Sequence, residues 1–283
     1  MTATALLREA AATLRDAGVP SPAWDAERLL RHVAGWDRAF LVGHPESPVD
    51  APTEVLFRAL VARRAARVPL QHLVGTQPFW RHDFVVTPDV LVPRPETEIL
   101  VEAALELVRG MDRPLIVDVG TGSGCIALSL AAERADATFH ATDVSPAALA
   151  VARENARRLG LEGRVAFHEG DLLAPVSSLS GGIDLVVSNP PYVDEKGRDA
   201  LAPEVRDHEP PVALFAPGDA LSVYRRLATA AAAALRPGRW LAVEVGAGQA
   251  EEVRAILDRA GLRPGASVPD LQAIPRVVTA RRG

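Results

Sequence analysis

The sequence is nearly free of cysteine and lysine, and each scarcity narrows the reading. Cys125 is the only cysteine among 283 residues. That rules out an intramolecular disulfide and a multi-cysteine metal site, and it fits a reducing, cytoplasmic setting. Lys196 is the only lysine, so almost all positive charge is arginine. With alanine abundant, we read this as genomic compositional bias and not as function. Positive charge is not in excess either. Thirty-one basic residues face 36 acidic ones, for a net charge of −5, which argues against retention on nucleic acid by bulk electrostatics. No stretch approaches the roughly 20 apolar residues that span a bilayer, so no membrane segment is expected. Met1 to Ala11 include Arg8 and Glu9 and lack a long apolar run, so no signal peptide is expected. The remainder is ordinary globular composition, 48% hydrophobic and 24% charged, long enough for one large or two modest domains.

Residues 1–66 read as helical. Leu6, Leu7, Ala10, Ala11 and Leu14 recur at helical spacing, and Gly18 and Pro20 stop that helix. A second helix is expected from Ala23 to Val33, with Trp24, Leu29, Leu30 and Val33 as its apolar face. A third is expected from Thr53 to Ala66, with Leu56, Leu60 and Val61 inward. Arg58, Arg63, Arg64 and Arg67 would then point outward, either solvated or facing an acidic partner or RNA. Between Pro69 and Val92, Gly75, Pro78 and Pro88 interrupt Phe79, Trp80, Phe84, Val85 and Val86, which suggests a β-hairpin. From Pro114 onward strands and helices alternate, the pattern of a parallel sheet. Strands are expected at 115–119, 137–142, 164–168, 183–188, 240–245, 262–268 and 276–280, with 203–217 irregular. The domain reading is a helical domain over 1–70, a hairpin connector over 71–92 and an α/β domain over 93–283.

Chemistry concentrates where the expected parallel strands end. Ile183 to Val187 is apolar and rich in β-branched residues, so it reads as a buried strand. Asn189-Pro190-Pro191-Tyr192 follows at once. Two adjacent prolines offer no N–H to a ladder, so the chain turns into a stiff loop. That loop lies at the carboxyl end of the strand, where open α/β sheets bind ligands. Asp118-Val119-Gly120-Thr121-Gly122-Ser123-Gly124 closes an earlier strand and opens a helix. A dinucleotide loop would place a third glycine at 125, where this chain has Cys125. Asp143, 23 residues after Gly120, ends the next strand, and an acidic residue there suits a ribose diol. Taken singly, Asp143 reads as a helix cap and Asp171 as a turn residue. The functional reading rests on their convergence at one edge.

The Asn-Pro-Pro-Tyr loop resembles that of S-adenosylmethionine-dependent amino-methyltransferases, and the G-x-G-x-G spacing resembles the class I methyltransferase cofactor loop. Over almost its whole length the chain resembles the HemK/PrmC family, the N5-glutamine methyltransferases of class I peptide chain release factors. The residues carrying this are Arg63-Arg64, Pro69, His72, Gly75, Phe79-Trp80 and Val92-Pro93-Arg94-Pro95-Glu96-Thr97-Glu98. The Gly120 loop, Asn189 to Tyr192, Glu209-Pro210, Glu244 and Arg276 complete the set. Ala273 departs from the pattern, because a glycine is expected there.

The resemblance implies a seven-stranded Rossmann-like class I methyltransferase domain with its last strand antiparallel. A small all-helical domain and a β-hairpin connector precede it, and the helical domain would grip the protein substrate. It implies methyl transfer from S-adenosylmethionine to the glutamine amide of the Gly-Gly-Gln motif, modulating translation termination. The implied catalytic groups are Asn189 and Pro190. Substrate would meet Asn189, Pro190, Pro191, Tyr192 and Arg94, with Phe79 and Trp80 walling the pocket. The cofactor would meet Asp118, Gly120, Thr121, Gly122, Ser123, Gly124, Asp143, Asp171, Leu172 and Asn189, with Asp171 on the adenine amino group and Leu172 on the base. No metal, no stable nucleic-acid binding, no membrane contact, a monomeric state and a cytoplasmic location are expected. The alternative is an adenine-N6 methyltransferase acting on DNA or RNA, which shares the loop chemistry.

Overall fold

The computed structural model describes residues 1–283. The chain forms two compact units, residues 1–76 with 202–208 and residues 77–201 with 209–283.

The first unit is helical: α1 (Ala3–Asp16), α2 (Pro22–Ala34), α3 (Arg38–Gly43), α4 (Ala51–Ala65) and α5 (Leu70–Val74). Polar side chains start three of them. Thr2 accepts from the Ala5 N–H, Asp37 from Phe40 and Asp50 from Thr53, each satisfying a donor that the helix leaves free. Leu6, Leu14, Leu29, Leu30 and Phe57 form the centre of the core. Helices α3 and α5 are additions to the sequence expectation.

Two expected faces are corrected here. Trp24 is not a core residue. It is 49% exposed, with the Arg38 guanidinium 5.6 Å from its ring centroid. In α4 the buried positions are Phe57, Val61 and Arg64, while Leu56 is exposed. The spacing is helical, but the face is rotated toward an arginine that was expected outside. Arg64 Nε donates to Asp25 Oδ2 at 2.7 Å, Nη2 to Glu204 Oε1 at 2.9 Å, and Nη1 to the Val68 carbonyl at 3.2 Å. A buried guanidinium is tolerated when its charge and donors are met this fully. Arg67 also grips Glu204, at 2.7 Å, and Arg58 pairs with Glu9 and Glu54. Of the supposed arginine face, only Arg63 has no such partner.

The second unit begins within the first strand of the expected hairpin, β1 (Thr76–Phe79) and β2 (His82–Val85), and continues with α6 (Thr97–Leu107). The alternating region follows: β3 (Leu115–Val119), α7 (Cys125–Glu133), β4 (Thr138–Asp143), α8 (Pro146–Arg158), β5 (Val165–Glu169) and β6 (Ile183–Ser188). The stretch expected to be irregular contains two short helices, α9 (Pro203–His208, part of the first unit) and α10 (Pro211–Leu214). The remainder is α11 (Ser222–Ala234), β7 (Leu235–Glu244), α12 (Ala250–Arg259), β8 (Leu262–Pro269) and β9 (Pro275–Arg282).

The sheet has seven strands in the order β5-β4-β3-β6-β7-β9-β8, and β9 is antiparallel to both its neighbours. The chain runs outward from β3 to β5, then returns to place β6 beside β3. That reversal opens the crevice in which such sheets hold ligands. One face of the sheet packs Ile116, Leu185 and Val187 against α6, α7 and the hairpin phenylalanines Phe79 and Phe84. The other packs Val117, Val186, Leu241 and Val243 against α11 and α12. All six residues of β6 are buried, as a strand covered on both faces requires.

Burial alone would raise the Glu204 carboxyl, but hydrogen bonds from Arg67 and Arg64 outweigh it and hold the group at about 2. Its stabilising contribution is therefore complete above its ordinary value of 4.5 and is lost as pH falls through about 2. Glu204→Gln is expected to lower the urea midpoint at pH 7. The gap from wild type should close between about pH 4.5 and 2, as measured by denaturation across that range.

Candidate active site

The ends of β3, β4, β5 and β6 surround one cavity of about 360 Å³, within the range of small-molecule sites. Gly120, Thr121, Gly122, Ser123, Asp143, Asp171, Leu172, Asn189, Pro190 and Pro191 line it, as does Arg94. Most residues expected in the site are thus brought together. Gly124, Asp118, Tyr192, Phe79 and Trp80 lie elsewhere.

The glycine loop is held open by its surroundings. Gly122 has φ +55 and donates its N–H to Asp143 Oδ2 at 2.8 Å. Gly124 has φ +81, and a Cβ there would sit 3.0 Å from Leu128 Cδ1 and 3.2 Å from Ala152 Cβ. It lets the loop close onto α7 and α8 without itself forming the cavity wall. Asp118 is behind the loop. Its Oδ2 accepts from the Thr121 hydroxyl at 2.6 Å and from Ala127 N–H at 3.2 Å, while Oδ1 is buried without a partner. Burial pushes its carboxyl up to about 7. Asp118 therefore shapes the loop and does not face the cavity. Asn155 of α8 is a brace that no local pattern announced. It donates to the carbonyls of Ser123 and Val85 and accepts from Val85 N–H, tying loop to hairpin.

Asp143 uses one oxygen on Gly122 and the other on Ser145 N–H at 2.9 Å. Each oxygen keeps a lone pair for a further donor. Burial raises this carboxyl too, against the backbone amides of Ser145, Gly122 and Val144. Asp171 is half exposed and ion-paired with Arg226 of α11, which also lines the cavity. Arg226 has no motif around it. Only the packing of α11 brings it to the mouth. Leu172, at φ +49, has its carbonyl fixed by the Thr142 hydroxyl at 2.8 Å.

On the opposite wall Asn189 donates from Nδ2 to Thr97 Oγ1 at 3.3 Å. Arg94 reaches the cavity as half of an ion pair, with Nη2 2.6 and 2.7 Å from the two oxygens of buried Glu209. Burial raises the Glu209 carboxyl, opposed by Arg94. Tyr192 is turned away. Its carbonyl accepts from Gln249 Nε2 at 3.0 Å, its ring packs against Gly246, and burial pushes its phenol up to about 12. Phe79 is core, edge-on to Phe84, and the Trp80 indole donates to Glu133 at 2.9 Å. Cys125 touches the cavity as a buried thiol, which burial pushes up to about 12, so little of it is thiolate at neutral pH.

The residues present suit S-adenosylmethionine. Glycines admit close backbone approach, Asp143 retains acceptor capacity beside them, and an acidic group stands at the far end. Gly124→Ala would meet both the left-handed backbone and the Leu128 and Ala152 contacts. It is expected to cost about 1–2 kcal/mol of stability, measured as a lower urea midpoint.

Residues 5–75 match the PrmC N-terminal domain model, and residues 96–208 match the methyltransferase small domain. A Cereibacter sphaeroides protein named release factor glutamine methyltransferase is 45% identical over 281 residues, covering 99% of each chain. One of the same name from Deinococcus radiodurans is 47% identical, covering 98% of this chain and 97% of its own. Among solved structures, the hMettl16 catalytic domain in complex with the MAT2A 3'UTR hairpin 6 is similar with a TM-score of 0.57. It is 17% identical and covers 78% of this chain and 81% of its own. A ribosomal protein L11 methylase from Lactobacillus delbrueckii has a TM-score of 0.50 at 21% identity, covering 73% and 90%. Those two likenesses concern the fold. The near full-length relatives decide the family: the chain belongs to the release factor glutamine methyltransferases.

Proposed function

We propose that this protein methylates the side-chain amide nitrogen of the glutamine in the Gly-Gly-Gln motif of class I peptide chain release factors. The observation that carries the reading is the position of Asn189 and Pro190 on the same cavity as the glycine loop and Asp143. An amide nitrogen is a poor nucleophile because its lone pair is delocalised. S-adenosylmethionine supplies a methyl group already activated on a sulfonium. The task left to the protein is orientation and selective stabilisation of charge.

Two acceptors suit a nitrogen carrying two hydrogens. Asn189 has its Nδ2 engaged by Thr97, which leaves Oδ1 to accept one hydrogen. The Pro190 carbonyl accepts the other, and Pro191 contributes no N–H to compete for it. Held this way, the nitrogen is favoured to pyramidalise toward the methyl. Gly120 to Ser123 and Asp143 hold the cofactor, with Asp171 and Leu172 at its adenine. Arg94, neutralised by Glu209, stiffens the wall where the substrate loop enters. The helical domain, residues 1–70, grips the body of the release factor. The protein acts as a monomer in the cytoplasm.

The test is transfer of labelled methyl from S-adenosylmethionine to a purified class I release factor. The same factor with Gln→Ala in its Gly-Gly-Gln motif is one control, and duplex DNA is run in parallel. Label on the intact factor alone is expected. Label on DNA instead would favour the adenine-N6 reading. Asn189→Ala is expected to abolish transfer while calorimetry shows cofactor binding largely intact.

A further inference from the structure

The Pro93-Arg94-Pro95-Glu96-Thr97-Glu98 stretch contains one side chain that the fold places where helix capping alone would not need it. Thr97 opens α6, is 2% exposed, and accepts from Asn189 Nδ2 at 3.3 Å. The Glu244 carboxyl, at the end of β7, lies close enough to that hydroxyl for the hydroxyl to lower its pKa. Glu244 is itself 2% exposed, joins no ion pair within 4 Å, and buries Oε2 without any partner. A carboxylate so placed costs free energy that packing alone does not require, since an apolar side chain would fill the same space.

A threonine hydroxyl has a single proton. When that proton is donated to an ionised carboxylate, which can only accept, the oxygen is left as an acceptor. The only end of the Asn189 amide that it can then receive is the NH2. Oδ1 is thereby forced toward the cavity, where the proposed reaction needs an acceptor. If Glu244 carries a proton, the order can run backward. Glu244 donates to Thr97, Thr97 donates to Asn189 Oδ1, and the amide presents its NH2 to a substrate that is itself an NH2 donor.

We propose that Thr97 and Glu244 are positioning residues that set which end of the Asn189 amide faces the substrate, with ionised Glu244 selecting the acceptor orientation. The inference rests on the glutamine-methylation reading of the site. Several titratable groups lie near enough to Glu244 to interact with its charge: Arg94 and Glu96 ahead of α6 and Arg276 of β9, and Tyr192 after β6. Cys125 of α7 and Tyr224 of α11 do so too. Tyr224 is neutral and directs its hydroxyl to the Glu244 backbone carbonyl at 2.8 Å. Burial, with Glu96 adding to it and Arg276 and Arg94 opposing, pushes the Glu244 carboxyl up to about 7. The acceptor orientation therefore prevails above that value and is lost as pH falls through it.

Two readouts test this on the full-length protein. In the first, methyl transfer to a release factor is followed for wild type, Thr97→Val, Thr97→Ser and Glu244→Gln, with cofactor affinity measured by calorimetry. Thr97→Val is expected to lower kcat by about 100-fold, the scale of a misplaced reacting group, with KM and cofactor affinity within about twofold of wild type. Thr97→Ser should restore kcat to within a few-fold. The wild-type acid limb near pH 7 should flatten in Glu244→Gln. In the second, the Asn189 side-chain amide resonance, labelled with ¹⁵N, is titrated without substrate. It should shift around pH 7 in wild type and stay fixed in Thr97→Val and Glu244→Gln. An unshifted wild-type resonance, a Thr97→Val enzyme with wild-type kcat, or an acid limb preserved in Glu244→Gln would overturn the inference and leave the function intact. Wild-type enzyme that labels no release factor would overturn both.

Discussion

Strand β6 is the constraint on which the catalytic unit depends. All six of its residues, Ile183 to Ser188, are buried between two helical layers. It pairs on one side with β3 and on the other with β7. A strand in that position has no edge and no solvent face, so its register is strongly specified. The Ser188 hydroxyl adds a bond to the Val119 carbonyl at 2.7 Å, pinning the end of β6 to the end of β3. The Asn-Pro-Pro turn therefore leaves the sheet beside the glycine loop, and the two halves of the site are aligned by the sheet itself.

Around that alignment the protein spends buried polar groups on orientation. Asp118 holds the loop from behind, Asn155 ties it to the hairpin, Asp143 holds Gly122, and Thr97 holds Asn189. Several of these carboxyls are raised by burial, Asp118 and Glu244 to about 7. Such groups weaken a core unless their hydrogen bonds are met, and they concentrate at one edge of the sheet. That placement marks the carboxyl ends of the strands as the chemical end of the domain. The opposite use of charge appears in the helical unit. There Arg64, Asp25, Arg67 and Glu204 neutralise one another and fasten α9 to the bundle.

The polar network also explains where the motif residues part company. Asn189, Pro190 and Pro191 line the cavity, but Tyr192 turns into the space between Gly246 and Gln249. Gly120, Gly122 and Ser123 line it, but Gly124 packs on Leu128 and Ala152. Adjacent residues in a motif need not share a role, because a tight turn alternates the direction in which successive side chains point.

The sequence by itself determined the elements and the site's main outline. The alternation of apolar strands and helical periods specifies a doubly covered sheet. Glycines at 120, 122 and 124, acids at 118, 143 and 171, and prolines at 190 and 191 mark where its strands stop, because those effects are local in φ, ψ and hydrogen-bonding capacity. Tertiary structure alone decided the partners. Arg64 is buried because Asp25 and Glu204 arrive from 39 and 140 residues away. Arg94 meets Glu209 across 115 residues, and Thr97 meets Asn189 across 92. Trp24 is left outside because the core positions of α2 are filled by Ala26, Leu29 and Leu30. Whether a charge is buried, and toward what an amide turns, depends on groups supplied by distant chain, and no pattern read along one helix or one loop contains that information.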